Sequence, residues 1–494
     1  RCFHELMNNP CFVNKLAYER SAMIANIELS KSLVAQEDHV INNPNPKTFW
    51  SYINRRLSRH TGIRSMLDSG KEFNDNQSIS NIFNKYFSSI FICESKTNFP
   101  RSTSNVTKDN IAVVSSFDLS IDEVANILKR LPPKTSTDAD GLSYYVLKRG
   151  GVILATYLFH IFNLSLELCR VPSLWKIAMV TPLYKSGCKS FVHNYRPISV
   201  TSCCSRVLER IINFKIKYFL AENCLIASTQ HGFSNGRSTD TALLQFYDNI
   251  TQSLDNNLTV EVVFFDFSKA FDTVPHTVLI SRLSDIGIRG SALEWIEDFL
   301  SARYQKVRVG ESFSRLLPVT SGVIQGSVLG PTLFNIFVDS LDSCLKYCSI
   351  IKYADDLRIF LTSSKNVADV TALRDKIQFD INSLADWANQ SGMSFNIQKC
   401  FTVSFGLPFG NQTDLNYNIR GESIPNKTYF KDLGVIVCSP LSFNVYMDDI
   451  VSRAFRRLGL VYKLFHLKSP KSIVRLYKSF VRPILEYASI IWNP

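Results

Sequence analysis

Residues 347–362 read YCSIIKYADDLRIFLT, and residues 260–266 read VEVVFFD. The first stretch is two short apolar runs meeting at Ala354-Asp355-Asp356, a hairpin pattern. The second is a β-rich run that ends on a carboxylate, Asp266. An ionised aspartate closing a buried strand is costly unless something compensates its charge. The Tyr353-Ala354-Asp355-Asp356 turn poses the same problem twice. Bringing such carboxylates together adds a repulsion of about 4 kcal/mol near 4 Å at an effective dielectric of 20. A hard divalent cation such as Mg²⁺ resolves the conflict, because it takes oxygen ligands and is held by one or two carboxylates plus substrate phosphates. Two such ions about 4 Å apart can activate a hydroxyl nucleophile and stabilise a leaving phosphate. A lone strand-end aspartate is read as a turn cap, and Asp448-Asp449 as a solvated helix start.

Outward from these strands, the middle of the chain alternates strands and helices. Helical patterns occupy 240–254 and 370–390, and a short strand is expected at 432–437. Ser120 and Glu123 make a capping-box pattern before an amphipathic helix that ends near Leu131-Pro132-Pro133. Residues 1 to about 45 read as helix broken by Asn43-Pro44-Asn45-Pro46, with further helices near 49–57, 80–91 and 446–491. Residues 95–110 are polar and turn-rich, the best linker candidate. The pattern predicts an α+β fold with an antiparallel sheet. There are no internal repeats.

The formal net charge of +12 is local. Between Val171 and Leu220, eight Lys or Arg face one acid, Glu209; between Val451 and Pro494, nine face Glu486. Two basic clusters flanking a carboxylate-rich middle suit a polyanion, with affinity from counterion release. Taken singly, each would pass for a solvated helical face. The 12 cysteines show no C-x2-C pair and no Cys/His cluster at zinc spacing, so they are expected to be free thiols of a reducing compartment. The longest apolar run, Val152 to Leu168, contains His160 and Asn163 and is short for a membrane span. No signal peptide is visible, and the chain begins at Arg1 and ends at Trp492-Asn493-Pro494, which reads as a fragment.

The motifs then fall into a family order. Residues 265–272 (FDFSKAFD) resemble polymerase motif A of reverse transcriptases, Tyr353–Asp356 resembles motif C, and residues 322–331 (GVIQGSVLGP) resemble motif B. Residues 194–199 (NYRPIS) and 230–239 (QHGFSNGRST) are similar to the fingers motifs of non-long-terminal-repeat (LINE-type) retrotransposons, of jockey-like or chicken-repeat-like flavour. Four residues such as YADD occur by chance; five motifs in order over about 250 residues do not. The flanks Pro46-Lys47-Thr48-Phe49-Trp50 and Pro483-Ile484-Leu485-Glu486-Tyr487 with Trp492 extend the resemblance over most of residues 46–494.

The resemblance implies an RNA-directed DNA polymerase with two Mg²⁺ (or Mn²⁺) ions on Asp266 and Asp355, and the Phe267 carbonyl as an extra ligand. Asp356 is implied as a further metal-site acid that supports the turn more than the ion. Phe271 would lie under the sugar and reject a ribose 2′-hydroxyl. Lys185 and Arg196 would meet the triphosphate, as an ammonium and a forked guanidinium suit phosphate oxygens; either could instead be an ordinary exposed base. Gln325 and Gly326 would border nucleotide and template, or simply form the turn before a helix near Pro331. Lys399, in residues 395–400 (FNIQKC), matches the motif D lysine proposed to protonate pyrophosphate, and a solvated lysine is the rival reading. Residues 429–437 (YFKDLGVIV) resemble the primer grip. Two departures, Pro275 in place of the usual acid and the retroelement form of Val328-Leu329-Gly330-Pro331, remove no catalytic group.

A right-hand polymerase is therefore expected, with fingers, an antiparallel palm sheet, a thumb and a helical N-terminal extension. The expected boundaries are extension and linker 1–110, fingers and palm 111–437, and a basic helical thumb 438–494. Expected partners are an RNA template, a DNA primer or RNA–DNA duplex and dNTPs, with no membrane. The expected location is intracellular, in nucleus and cytoplasm, not secreted. By the same resemblance a nicking endonuclease would precede this segment. Rival readings are another palm polymerase, such as an RNA-dependent RNA polymerase or a telomerase-like enzyme, which Phe271 disfavours, and a domesticated or maturase-like RNA-binding protein that kept the fold.

Overall fold

The structure is a computed structural model that describes residues 2–57, 62–92, 112–406, 416–466 and 469–493. The expected 95–110 linker lies outside the described residues. Helices and strands mix as α+β, and the chain divides into two units, Ile63–Tyr429 and a second made of Arg1–Gly62 with Phe430–Pro494.

At the centre of the larger unit is a four-stranded antiparallel sheet. Its order is Phe401–Phe405, Thr259–Phe265, Asp356–Ser363, Ser349–Tyr353. The two quoted stretches are thus neighbours. Tyr353 pairs with Asp356 across the turn, and Phe265 pairs with Leu357. That register carries Asp266, one residue past the end of its strand, to the same edge of the sheet as the hairpin turn. Val260, Val262, Val263 and Phe265 are buried, as are Ile359 and Phe360 opposite. Continuous Val/Phe/Ile runs suit a strand covered on both faces.

A second, mixed sheet holds Tyr195–Val200 antiparallel to Ile177–Tyr184, which in turn runs parallel to Arg303–Val309. Helix Asn76–Ser88 packs beside it through Phe83, Phe87 and Ile79, which share a cluster with Val180, Tyr195 and Val307. Residues 63–92 therefore pack with the central unit, although sequence boundaries alone grouped them with the N-terminal extension. Helix Tyr144–Glu167 is long and apolar enough to cross a membrane by length and composition. One face of it (Ala155, Leu158, Phe162, Leu166) belongs to the main core.

In the smaller unit the N- and C-terminal segments share one core. Phe49 stacks on Phe480 at 4.1 Å, Tyr52 meets Phe465 at 4.8 Å, and Arg457 lies over the Trp50 ring at 4.4 Å. The PKTFW stretch is thus a packing element. Glu37 is fully buried, where its carboxylate accepts from the Tyr52 hydroxyl (2.5 Å) and the His466 amide (2.8 Å). Hydrogen bonds of this kind offset the cost of burying a carboxylate.

Caps and prolines set the helix ends. The Ser120–Glu123 capping box forms as expected. The expected helix over 1–45 is two helices, Cys2–Asn8 and Phe12–Asn42. Pro10 separates them, because proline restrains the residue before it and donates no amide. The stretch 446–491 is likewise split: Asn444–Leu464 ends before Pro470, which opens a new helix capped by Ser469.

One buried acid stands out in the central sheet. Glu261 is fully buried, and burial pushes its carboxyl up to about 8; Ser404, opposite it across the strand pair, offsets this only in part. An unfolded glutamate ionises above about 4.5, whereas the native group keeps its proton until about 8. The unfolded state therefore binds fewer protons in that window, and the Glu261 contribution to stability falls as pH rises from 4.5 to 8. Glu261→Gln is expected to stabilise the protein by roughly 3–5 kcal/mol more at pH 8 than at pH 4 in urea unfolding. Equal effects at the two pH values would show that the native carboxyl is ionised.

Candidate active site

Asp266 and Asp355 meet at the sheet edge. Burial holds the Asp355 carboxyl above the usual carboxylate range, and the negative charge of Asp266 raises it further; Arg196 and Lys185 act in the opposite direction. The Asp266 charge reaches Asp355 only at short range, and the register of the paired strands brings both acids to one edge of the sheet. Asp356 opens the return strand and is exposed.

Three cations surround the acids. Lys399 makes a 2.8 Å ion pair with the Asp266 carboxylate. Its loop is fixed locally: the Asn396 amide donates to the Asp266 carbonyl at 2.7 Å, and the Ser268 amide to the Ser394 carbonyl at 2.8 Å. These bonds straddle Phe267, which bridges Phe395, and leave the Phe267 carbonyl out of the pair. Lys185 and Arg196 come from the facing ends of two paired strands, where Leu183 is opposite Arg196. Desolvation by the surrounding protein, then the positive charges of Arg196 and Lys399, hold the Lys185 ammonium below the usual lysine range, while Asp266 opposes them. Lysine and guanidinium groups that crowd one another have surplus positive charge to offer an anion.

Among the described residues, no group of three or more His, Cys, Asp or Glu side chains gathers to hold a metal. The two-carboxylate pair nevertheless fits a hard divalent ion. It is a charged oxygen donor set at a solvent-accessible edge, and the position beside Asp266 already attracts a cation, the Lys399 ammonium. Asp266 and Asp355 would hold such an ion, with the Phe267 carbonyl adjacent.

Phe271 is braced from two sides. It stacks on Phe334 at 4.4 Å and 15°, and Phe233 meets it edge-on at 6.2 Å. Phe334 is itself fully buried on helix Gly330–Asp339, so the Phe271 ring is a fixed wall rather than a mobile flap.

Gln325 and Gly326 have direct protein partners. The Gln325 side-chain amide donates to the Asp272 carboxylate at 2.8 Å, and the Gln325 backbone carbonyl accepts from the Ser199 amide at 2.8 Å. Asp272 is buried, and burial pushes its carboxyl up to about 6, with Gln325 and Lys269 opposing. Gly326 has φ +124°, and a Cβ there would run into the Ser199 carbonyl oxygen. Glycine is required for this backbone approach.

Two contributors escaped the sequence reading. Glu209, counted there as a lone acid in a basic stretch, is fully buried. It accepts from the Val328 and Leu329 amides at 2.7 and 3.3 Å, fixing the loop before helix Gly330–Asp339. Its isolation among bases was the available signal. Gln230 was quoted within a motif without a role, and its carboxamide bonds the backbone of Ala354 in the hairpin turn.

The family model described as reverse transcriptase (RNA-dependent DNA polymerase) matches residues 184–437. The chain is 28% identical over 384 residues to a Drosophila melanogaster protein named "Probable RNA-directed DNA polymerase from transposon BS", covering 76% of this chain and 42% of that one. It is 27% identical over 389 residues to the RNA-directed DNA polymerase from mobile element jockey of the same organism, covering 76% and 41%. It is also 28% identical over 256 residues to the retrovirus-related Pol polyprotein from type-1 retrotransposable element R2 of Popillia japonica, covering 49% and 34%. The chain thus spans about two fifths, or less, of the length of these curated relatives.

Gly326→Ala is expected to lower stability by about 1–3 kcal/mol, since neither φ nor the Ser199 carbonyl can accommodate a methyl group. Thermal unfolding measures it. A variant that melts with the wild type but binds nucleotide poorly would instead assign Gly326 to the ligand alone.

Proposed function

The chain belongs to the reverse transcriptase (RNA-dependent DNA polymerase) family, matched over half its length, and on that footing we propose that it is the polymerase region of a non-long-terminal-repeat retrotransposon. It copies RNA by adding deoxynucleotides to a primer 3′-hydroxyl. The observation that carries this reading is the convergence of Asp266 and Asp355, 89 positions apart in the numbering, beside Lys185, Arg196 and Lys399.

In this reading the four-stranded sheet is the palm, the sheet carrying Lys185 and Arg196 belongs to the fingers, and the basic helices after Asn444 form the thumb. When bound, two Mg²⁺ ions would supply Lewis acidity that activates the primer hydroxyl and offsets charge on pyrophosphate. Asp266 and Asp355 hold them, with the Phe267 carbonyl and, more weakly, Asp356. Lys185 and Arg196 bind and orient the triphosphate, the guanidinium by forked hydrogen bonds. Lys399 holds a proton at its ammonium nitrogen within reach of the site, where it can be given to the departing pyrophosphate. Phe271, held against Phe334, leaves room for a 2′-hydrogen and none for a hydroxyl.

The template is RNA and the growing strand DNA, bound through the basic clusters, so affinity should fall with salt.

Primer extension on poly(rA)/oligo(dT) tests it. Asp266→Asn and Asp355→Asn are each expected to lower extension by at least about 100-fold, because each removes a charged ligand of the reacting centre. Wild type and both variants equally silent, with RNA binding intact, would make the chain a binding protein instead. On the same template, Phe271→Ala is expected to raise rNTP relative to dNTP incorporation by roughly 10-fold or more, a change of about 1.4 kcal/mol in discrimination. An unchanged ratio would remove Phe271 from the sugar contact.

A further inference from the structure

We propose that Gln230 is a positioning residue for Asp355: its buried carboxamide clamps the backbone of the hairpin turn from which the carboxylate projects. For its kinetic consequence this rests on the polymerase reading above; the clamp itself does not.

The turn needs an external hold. Ala354 has φ +56°, a left-handed conformation that residues with a Cβ seldom adopt unless their surroundings impose it. It lies between two strands that pair again at once, Tyr353 with Asp356. The Ala354–Asp355 link is therefore the one part of the hairpin outside its own ladder. Any swing of the Ala354 peptide groups would move Asp355, the next residue.

Gln230 supplies the hold from 124 residues away. Its side-chain oxygen accepts from the Ala354 amide at 3.0 Å and from the Gly232 amide at 2.8 Å. Its side-chain nitrogen donates to the Ala354 carbonyl at 3.4 Å. Both peptide groups flanking the Ala354 Cα are thus engaged by one side chain that is 1% exposed. Only a primary carboxamide offers acceptor and donor in this fork.

The clamp is itself anchored. The Lys352 amide donates to the Thr229 carbonyl at 2.9 Å, and the His231 amide to the Lys352 carbonyl at 2.8 Å, so residues 229–231 run as a short parallel partner of strand Ser349–Tyr353. The buried Lys352 ammonium pairs with Asp342, which also accepts from the Thr229 hydroxyl at 2.5 Å. The His231 ring lies 2.8 Å from both Thr241 and Gln245. Asn335, next to the Phe334 that backs Phe271, donates to the Gly232 carbonyl at 2.8 Å. Gly232 presses so closely on Ala354 that a Cβ would overlap its backbone nitrogen.

The test compares wild type, Gln230→Met and Gln230→Glu in the full chain. Methionine keeps the length and removes every hydrogen bond; glutamate keeps the acceptor for both amides. Amide hydrogen exchange over residues 353–357 reads the clamp directly, without turnover. It should accelerate at least 10-fold in Gln230→Met and by a smaller factor in Gln230→Glu, which keeps the acceptor but loses the donor to the Ala354 carbonyl. Primer-extension kinetics read the consequence. In Gln230→Met, kcat should fall at least 20-fold with KM for dNTP within threefold, and the Mg²⁺ concentration for half-maximal rate should rise several-fold. If Gln230→Met does not fold, Gly232→Ala, which crowds the same Ala354 peptide, should show the same kcat loss and Mg²⁺ shift. Unchanged exchange at the turn, or kcat within twofold of wild type, overturns the proposal. A wild-type chain that extends no primer would overturn the polymerase reading, and with it the kinetic half, while the exchange experiment still decides whether the clamp exists.

Discussion

Two like charges held close together at the edge of a hydrophobic sheet set the terms for the rest of the central unit. Asp266 and Asp355 repel, and burial penalises Asp355 further, so the arrangement survives only because cations stand around it. Lys399 touches Asp266, while Lys185 and Arg196 temper the charge on Asp355. Burial, and then crowding by Arg196 and Lys399, lowers the basicity of Lys185. The site is thus a charge lattice short of positive charge near the acids and rich in it nearby. Divalent ions and a polyphosphate are the pair of ligands that would satisfy both halves at once.

Holding such a lattice demands rigid backbone, and the loop at 322–329 with helix Gly330–Asp339 provides much of it. Gly322 has φ +87°, its amide bonds the Val274 carbonyl, and the Val323 amide bonds the Phe271 carbonyl, both at 2.7 Å. Gln325 ties the loop to Asp272 and to Ser199, three residues from Arg196. Glu209 caps its far end. The helix beyond then carries Phe334 behind Phe271 and Asn335 onto Gly232. One short segment therefore connects the strand that carries Arg196, the ring of Phe271 and the Gly232 brace of the Ala354 turn. Buried charge is spent on this scaffold as well: Arg303, almost fully buried, donates to the Phe299 and Trp175 carbonyls, and burial lowers its guanidinium to about 10. A buried network so placed is costly when incomplete and restrictive when satisfied.

The smaller unit obeys different rules. Its core is aromatic, built on Phe49, Tyr52, Phe465 and Phe480, with the buried carboxylate of Glu37 joining Tyr52 to His466. The basic stretch 451–494 divides its labour accordingly. Arg457 covers the Trp50 ring, Arg453 and Arg482 pair with Asp449 and Glu486, and Arg475 bonds the Asn42 side chain, so part of the positive charge is structural.

Local sequence by itself determined the elements whose signals are short-ranged. The hairpin around Ala354, the strand ending at Asp266, the Ser120 capping box and the break at Pro44 and Pro46 could be read from periodicity and turn chemistry, because the forces that make them act within a few residues; the breaks at Pro10 and Pro470 escaped that reading. Family motifs then named Asp266, Asp355, Phe271, Lys185, Arg196 and Lys399, all of which, apart from the fixed ring of Phe271, the fold gathers around one carboxylate pair. Tertiary structure alone decided what each residue touches. That Gln230 grips Ala354, that Gln325 serves Asp272 and Ser199, that Glu209 caps a loop 119 residues away and that Phe49 belongs with Phe480 are long-range facts. A buried polar group must find its partner wherever the packed chain brings one within about 3 Å, and no local pattern records where that will be.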